Sequence, residues 1–196
     1  MHMDLRLRFD YGHVVPWVRR HDDDLVAVAG PDSTWLRTPV PLRGEDLATV
    51  ADFDVEAGQR IPFVLAYAES HHPKPRLVDA EQSLAATENF WTSWMAHCDY
   101  TGPWEAEVRR SLLLLKALTY APTGGIVAAA TTSLPEDLGG SRNWDYRYCW
   151  LRDATFTLQA LLGTGYVAEA RQWREWLVRA VAGDPATLQI MYGLNG

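Results

Sequence analysis

Eleven consecutive residues, Asn143-Trp144-Asp145-Tyr146-Arg147-Tyr148-Cys149-Trp150-Leu151-Arg152-Asp153, hold four aromatic rings, two carboxylates and two guanidinium groups. Packing alone does not call for so dense a mixture. Aromatic rings offer flat apolar faces, while Arg and Asp offer fixed donors and acceptors. Together they suit a ligand with both C–H faces and hydroxyl edges. A sugar fits that description.

Within this stretch Arg152 and Asp153 adjoin at the start of an apolar run. Arginine presents a rigid fork of donors and ionised aspartate only accepts, so the pair can grip neighbouring hydroxyls from both sides. A second reading stands beside it: Asp153 caps a helix over 154–162 and Arg152 forms an ion pair nearby. The two are compatible, since a side chain at a helix start often also faces a cleft. If the stretch is extended, Trp144, Tyr146, Tyr148 and Trp150 share one face and form an aromatic wall, with Asp145, Arg147, Cys149 and Leu151 on the other. The alternative is that most of these rings belong to the core.

The elements that must position this stretch change character along the chain. Residues 4–11 alternate, with Leu5, Leu7, Phe9 and Tyr11 on one face, which predicts a strand. Residues 14–18, 25–29, 35–41, 49–55 and 60–67 repeat the pattern between the turn signals Asp22-Asp23-Asp24, Gly30-Pro31-Asp32-Ser33, Gly44-Glu45-Asp46 and Ala57-Gly58. An antiparallel β-sandwich follows, with no earlier strand to pair beyond the first and so a partial one. His71-His72-Pro73-Lys74-Pro75 reads as a linker. Its adjacent histidines are not expected to hold a metal, since neighbouring positions point differently and no further ligand is evident at a suitable spacing.

From Asp79 the period becomes helical. Asp79 is the expected cap of a helix whose face carries Leu84, Trp91, Trp94, Met95 and Cys98. Pro103 suits the first turn of a second helix over 104–120, which the run Leu112-Leu113-Leu114-Leu115 marks as covered on more than one side. A short piece at 126–132 and a loop at 133–141 lead into the aromatic stretch. Helices over 154–162 and 167–182 follow, the latter with Ala170, Trp173, Leu177 and Ala180 on one face. The chain then ends just after the apolar segment 188–193, as though interrupted.

The 196 residues carry a net charge of −7 and only two lysines, Lys74 and Lys116. Without a basic cluster, nucleic acid is not an expected partner. No apolar run is long enough to span a bilayer, and the N-terminus lacks a secretory pattern, so no membrane association and a cytoplasmic location are expected. Cys98 and Cys149 read as reduced, packed thiols. No cofactor and no metal are expected.

The segment 143–154, with Ala121-Pro122-Thr123-Gly124-Gly125-Ile126-Val127-Ala128-Ala129 before it, resembles glycoside hydrolase family 15, the glucoamylase and bacterial trehalase family. The resemblance implies an N-terminal β-sandwich followed by a helical linker and an (α/α)6 barrel. It divides the chain into a partial sandwich at 1–70, a linker with a helix at 71–102, and the first part of a six-hairpin barrel at 103–196. It also implies inverting hydrolysis of α-linked glucosides, in carbohydrate metabolism. Arg152 and Asp153 would hold hydroxyls of the terminal glucose, and Trp150 and Tyr146 would line that subsite, with Tyr148 a further candidate.

Inverting hydrolysis needs an acid and a base about 6.5–9.5 Å apart. In the family both are glutamates from segments later than any in this chain. Glu105, Glu107, Glu169 and Glu175 read as solvated helix faces here, and Glu136 and Asp137 as loop residues. No catalytic residue is therefore assigned. The expected substrate is a small-molecule or oligosaccharide α-glucoside, held but not cut by these residues alone. Two alternatives remain open, a non-catalytic carbohydrate-binding or interaction module and a related α-glucoside phosphorylase. A partial barrel also leaves the apolar faces of 104–120 and 154–162 uncovered, which predicts aggregation of the isolated chain.

Overall fold

The computed structural model describes residues 1–76, 78–132 and 135–196. The chain divides into two compact units, Met1–Glu88 and Asn89–Gly196. The loop expected at 133–141 falls partly outside the described residues.

The first unit is built from two antiparallel sheets. One has three strands, β1 (His2–Leu5), β5 (Arg43–Glu45) and β6 (Ala48–Asp52), in the order β1-β6-β5. The other joins β2 (Trp17–His21), β3 (Asp24–Ala29), β4 (Asp32–Arg37) and β7 (Val64–Glu69) in that order. Central strands β3 and β4 pair Leu25 with Leu36 and Val26 with Trp35, and all four side chains are buried. Here the β-branched and aromatic content of the sequence does what it predicts.

Two expectations for this unit are corrected. The alternation at 4–11 does not run through as one strand: β1 stops at Leu5, and Asp10, Tyr11 and Gly12 take positive φ values of 47°, 54° and 91° in a turn. A left-handed backbone cannot continue a strand, and Tyr11 is left 80% exposed. Asp24, expected in a turn, opens β3 with its carboxylate fully buried. Arg37 donates to it through Nε at 2.6 Å and through a terminal nitrogen at 2.9 Å, and the Lys74 ammonium lies 2.5 Å away. These partners, with the Arg37 hydrogen bond foremost, hold its carboxyl below the usual carboxylate range despite burial. Lys74 also lies 5.9 Å from the Trp35 ring centroid, so the segment after the two histidines is tied back onto the four-stranded sheet.

The second unit is helical. The unit boundary falls within α1 (Ala80–Met95), whose start is capped as expected by Asp79 Oδ1 accepting from the Gln82 N–H at 2.8 Å. Trp94 and Cys98 are buried, but Leu84 is 49% exposed and does not join that face. α2 (Glu105–Ala117) is shorter than the 104–120 expected, because Trp104 takes a left-handed φ of 59° and Pro103 lies outside the first turn. α3 (Leu151–Leu162) buries Ala154, Leu158 and Leu161, at i, i+4 and i+7 on one face. α4 (Val167–Ala180) buries Trp176 completely.

Glu169 on α4 overturns the expectation of a solvated face. It is 6% exposed and accepts from Trp94 Nε1–H at 2.6 Å and from the Lys116 ammonium at 3.0 Å. Desolvation pushes its carboxyl up, yet the Trp94 and Lys116 hydrogen bonds outweigh it and leave the group below its ordinary value. Around it, Trp94 stacks on Tyr166 at 4.0 Å, with Cys98, Leu112 and Leu161 completing the cluster. Large apolar side chains on the same helices remain in water, among them Leu114 and Phe156. No described helix is long and apolar enough to cross a membrane.

Candidate functional site

The aromatic stretch is held in place from both sides by main-chain hydrogen bonds. On one side Ala128 N–H donates to the Tyr148 carbonyl at 3.1 Å and Ala129 N–H to the Tyr146 carbonyl at 2.9 Å. On the other, β8 (Cys149–Trp150) pairs antiparallel with β9 (Met191–Tyr192), and Leu151 N–H donates to the Ile190 carbonyl at 3.2 Å. The apolar segment 188–193, given no role from sequence, is thus a partner of the site. Its β-branched Ile190 and aromatic Tyr192, either side of Met191, were the available signal.

Two glycines before the stretch are required by close approach. Gly124 has φ +84° and a Cβ there would lie 2.6 Å from the Gln172 carbonyl oxygen. At Gly125 a Cβ would meet the Leu194 carbonyl oxygen at 2.9 Å, Trp176 Nε1 at 3.0 Å and Cys149 Sγ at 3.2 Å. The Leu194 carbonyl in turn accepts from Trp176 Nε1–H at 2.9 Å and Thr123 Oγ–H at 2.7 Å. Cys149 beneath this contact is fully buried, and burial pushes its thiol up to about 11.

The four rings do not form a continuous wall. A turn at Tyr146 and Arg147 breaks the extended run, so strict alternation is lost. Tyr146 stacks on Trp150, with centroids 5.4 Å apart and planes 18° apart, and Trp144 meets Trp150 edge-on at 6.0 Å. Tyr148 is 43% exposed and makes no ring contact among the described residues. Trp150 itself is 7% exposed, and its Nε1–H donates to the Asp145 carbonyl at 2.9 Å. Two of the rings, Trp144 and Tyr146, therefore flank a nearly buried Trp150 indole, while Trp144 at 41% and Tyr148 at 43% exposure both face water, so only part of the cluster is core.

Asp145 is engaged by Arg147 through side-chain and backbone donors, the closest at 2.7 Å. That contact holds its carboxyl below the usual range. Asp153 is not the helix cap: α3 begins two residues earlier, Trp150 is its N-cap, and no side chain caps it. Asp153 lies in the first turn, where the positive end of the helix dipole favours its charge. Arg152 donates to Asp153 Oδ2 from Nε at 3.2 Å and from a terminal nitrogen at 3.0 Å, and its guanidinium carbon lies 5.7 Å from the Trp150 ring centroid. Arg152, Asp153, Trp150 and Tyr146 thus adjoin in space.

The model for "Glycosyl hydrolases family 15" matches residues 105–196, which include all of these groups. The chain belongs to that family. It is 34% identical over 168 residues to a trehalase of Thermoplasma acidophilum, covering 86% of this chain and 29% of that protein. It is 42% identical over 137 residues to a trehalase of Mycolicibacterium smegmatis, covering 67% of this chain and 20% of that protein. A trehalase of Sulfolobus acidocaldarius is 34% identical over 181 residues, covering 88% and 29% respectively. The chain spans less than a third of the length of these curated relatives. No solved structure matches it.

Proposed function

We propose that this chain supplies the glucose-orienting subsite of an inverting α-glucoside hydrolase of the trehalase and glucoamylase kind, and that its own residues do not include the catalytic acid and base. The observation carrying this reading is the Arg152–Asp153 pair on the first turn of α3, beside the Tyr146–Trp150 stack and inside the family match. The substrate class is an α-glucoside small molecule or oligosaccharide, in keeping with the names of the relatives. In this reading α2, α3 and α4 are early helices of an (α/α)6 barrel, and the first unit is sandwich-like. Arg152 donates to and Asp153 accepts from adjacent hydroxyls, Trp150 and Tyr146 supply the apolar face, and Tyr148 reaches the ligand from its exposed position.

Electrostatics supports leaving the catalytic pair unassigned. A general acid working near neutral pH needs a raised carboxyl pKa. Asp145 and Glu169 are both shifted the other way by their donors, and Glu169 is consumed by Trp94 and Lys116. Neither is poised to protonate a leaving oxygen.

Titration calorimetry with glucose and trehalose tests the reading. Losing one charge-assisted hydrogen bond, about 1.5–3 kcal/mol, predicts that Asp153→Ala weakens binding by roughly tenfold to a hundredfold, with no glucose released by either chain. Binding unaffected by Asp153→Ala refutes the subsite. Turnover abolished by replacing a carboxylate of this chain refutes the absence of the catalytic pair.

A further inference from the structure

At the end of β7, Glu69 is followed within three residues by His71 and His72, and one ligand atom from each converges with the others to within 4.8 Å. Spacing along the sequence does not join Glu69 to the histidines, because whether the chain folds back there depends on tertiary contacts. Here the turn folds back. Ser70 N–H donates to the Pro31 carbonyl at 2.7 Å, Ser70 Oγ–H to the Gly30 carbonyl at 2.6 Å, and His72 N–H to the Glu69 carbonyl at 3.0 Å. The main chain bearing the three side chains is fixed by contacts that do not involve them.

We propose that Glu69, His71 and His72 form a surface site for a divalent transition ion of the zinc class. Glu69 Oε2 is 3.5 Å from His71 Nε2 and 3.5 Å from His72 Nε2. Two ligand atoms bound tetrahedrally to zinc at about 2.0–2.1 Å stand ~3.4 Å apart, so both carboxylate–imidazole edges already have the required length. The two imidazole rings lie with centroids 4.4 Å apart and planes tilted by 57°, splayed rather than stacked, which lets both Nε2 atoms turn toward one point. Two neutral imidazoles and one carboxylate suit zinc, nickel or copper and disfavour magnesium or calcium, which want oxygen ligands. All three side chains are exposed, so the ion has open access and solvent completes its shell.

The site is tested by titrating the untagged chain with zinc chloride in a calorimeter and, in parallel, with cobalt(II) followed by visible absorption. One equivalent per chain is expected, with the intense visible bands of four-coordinate cobalt. The His71→Ala/His72→Ala chain should bind at least tenfold more weakly and Glu69→Gln should also weaken binding, while His13→Ala, remote in sequence and equally exposed, should not. Because the three residues are exposed, far-UV circular dichroism should be unchanged in every variant. The proposal is overturned if the wild-type chain takes up no zinc, or if the double variant binds with unchanged stoichiometry and affinity.

Discussion

Replacing Glu169 should unfold the helical unit more easily, and by an amount its contacts allow to be worked out. Its Oε1 takes the Trp94 indole N–H at 2.6 Å and the Lys116 ammonium at 3.0 Å, with the Lys116 side chain only 19% exposed. At 3.0 Å and an effective dielectric of ~20 the gross ionic attraction is about 5.5 kcal/mol. Desolvation of two ions consumes several kcal/mol of this, so the net is modest. Glu169→Gln keeps a neutral acceptor for both donors and should cost about 1–2 kcal/mol. Glu169→Ala strands a buried indole N–H and a mostly buried ammonium and should cost about 3 kcal/mol, the lower end of the range for breaking buried pairs. Urea unfolding followed by far-UV circular dichroism measures both. The folded carboxyl lies below its ordinary value. Its contribution is therefore complete above the unfolded pKa of about 4.3 and is lost as pH falls through the folded value. The gap between wild type and Glu169→Gln should therefore narrow once pH falls below the unfolded value of about 4.3. Equal stability of Glu169→Gln and wild type at pH 7, or a gap that widens on acidification, would refute the reasoning.

Two further outcomes concern the support of the aromatic stretch. Gly125→Ala should cost about 1–3 kcal/mol of stability in the same unfolding experiment, because a methyl group would press on the Leu194 carbonyl, Trp176 and Cys149 at once. Cys149, fully buried with its thiol pushed up to about 11, should resist a thiol reagent at pH 8 in the native chain and react once urea unfolds it; rapid native labelling at Cys149, located by peptide mass, would contradict its burial.

What the sequence made legible was decided by local patterns. β3, β6 and β7 were readable in part because apolar runs carrying Val, Thr or Tyr are bounded by turn residues, whereas β4 begins at Asp32, before the expected 35–41, because Asp32 and Ser33 read as turn residues. α3 and α4 were readable from helical periodicity. Tyr11 was misplaced because alternation at Leu5, Leu7 and Phe9 continues into it, and the signal that the backbone turns there was the neighbouring Asp10 and Gly12. β5, at Arg43–Glu45, was hidden by polar composition, since it is an exposed three-residue strand. Glu169 and Asp24 were misread because a buried carboxylate is recognised only by its partners. Those partners, Trp94 and Lys116 for one and Arg37 and Lys74 for the other, come from distant sequence. At the site the residue types were legible and their arrangement was not: nothing local tells that Trp150 is gripped by Met191 across a two-residue ladder.

The Arg152–Asp153 contact bears directly on whether the proposed subsite is ready for a ligand. An ion pair between adjacent residues with the arginine side chain 61% exposed contributes little to stability. Its consequence is geometric. Asp153 spends one oxygen on Arg152 and keeps the other, while Arg152 spends two of its five N–H donors and is steadied against the Trp150 ring. An incoming pair of hydroxyls could then find one acceptor and one donor fork set side by side on the first turn of a helix. Neither group need abandon its partner to bind. Trp150 cannot shift to spoil that arrangement without breaking its bond to the Asp145 carbonyl and the β8–β9 ladder. The orientation of the pair thus depends on main chain that is far apart in sequence, from Ala128–Tyr148 on one side to Trp150–Met191 on the other. A loss of sugar binding by a change in β9, with Arg152 and Asp153 intact, follows from the same geometry.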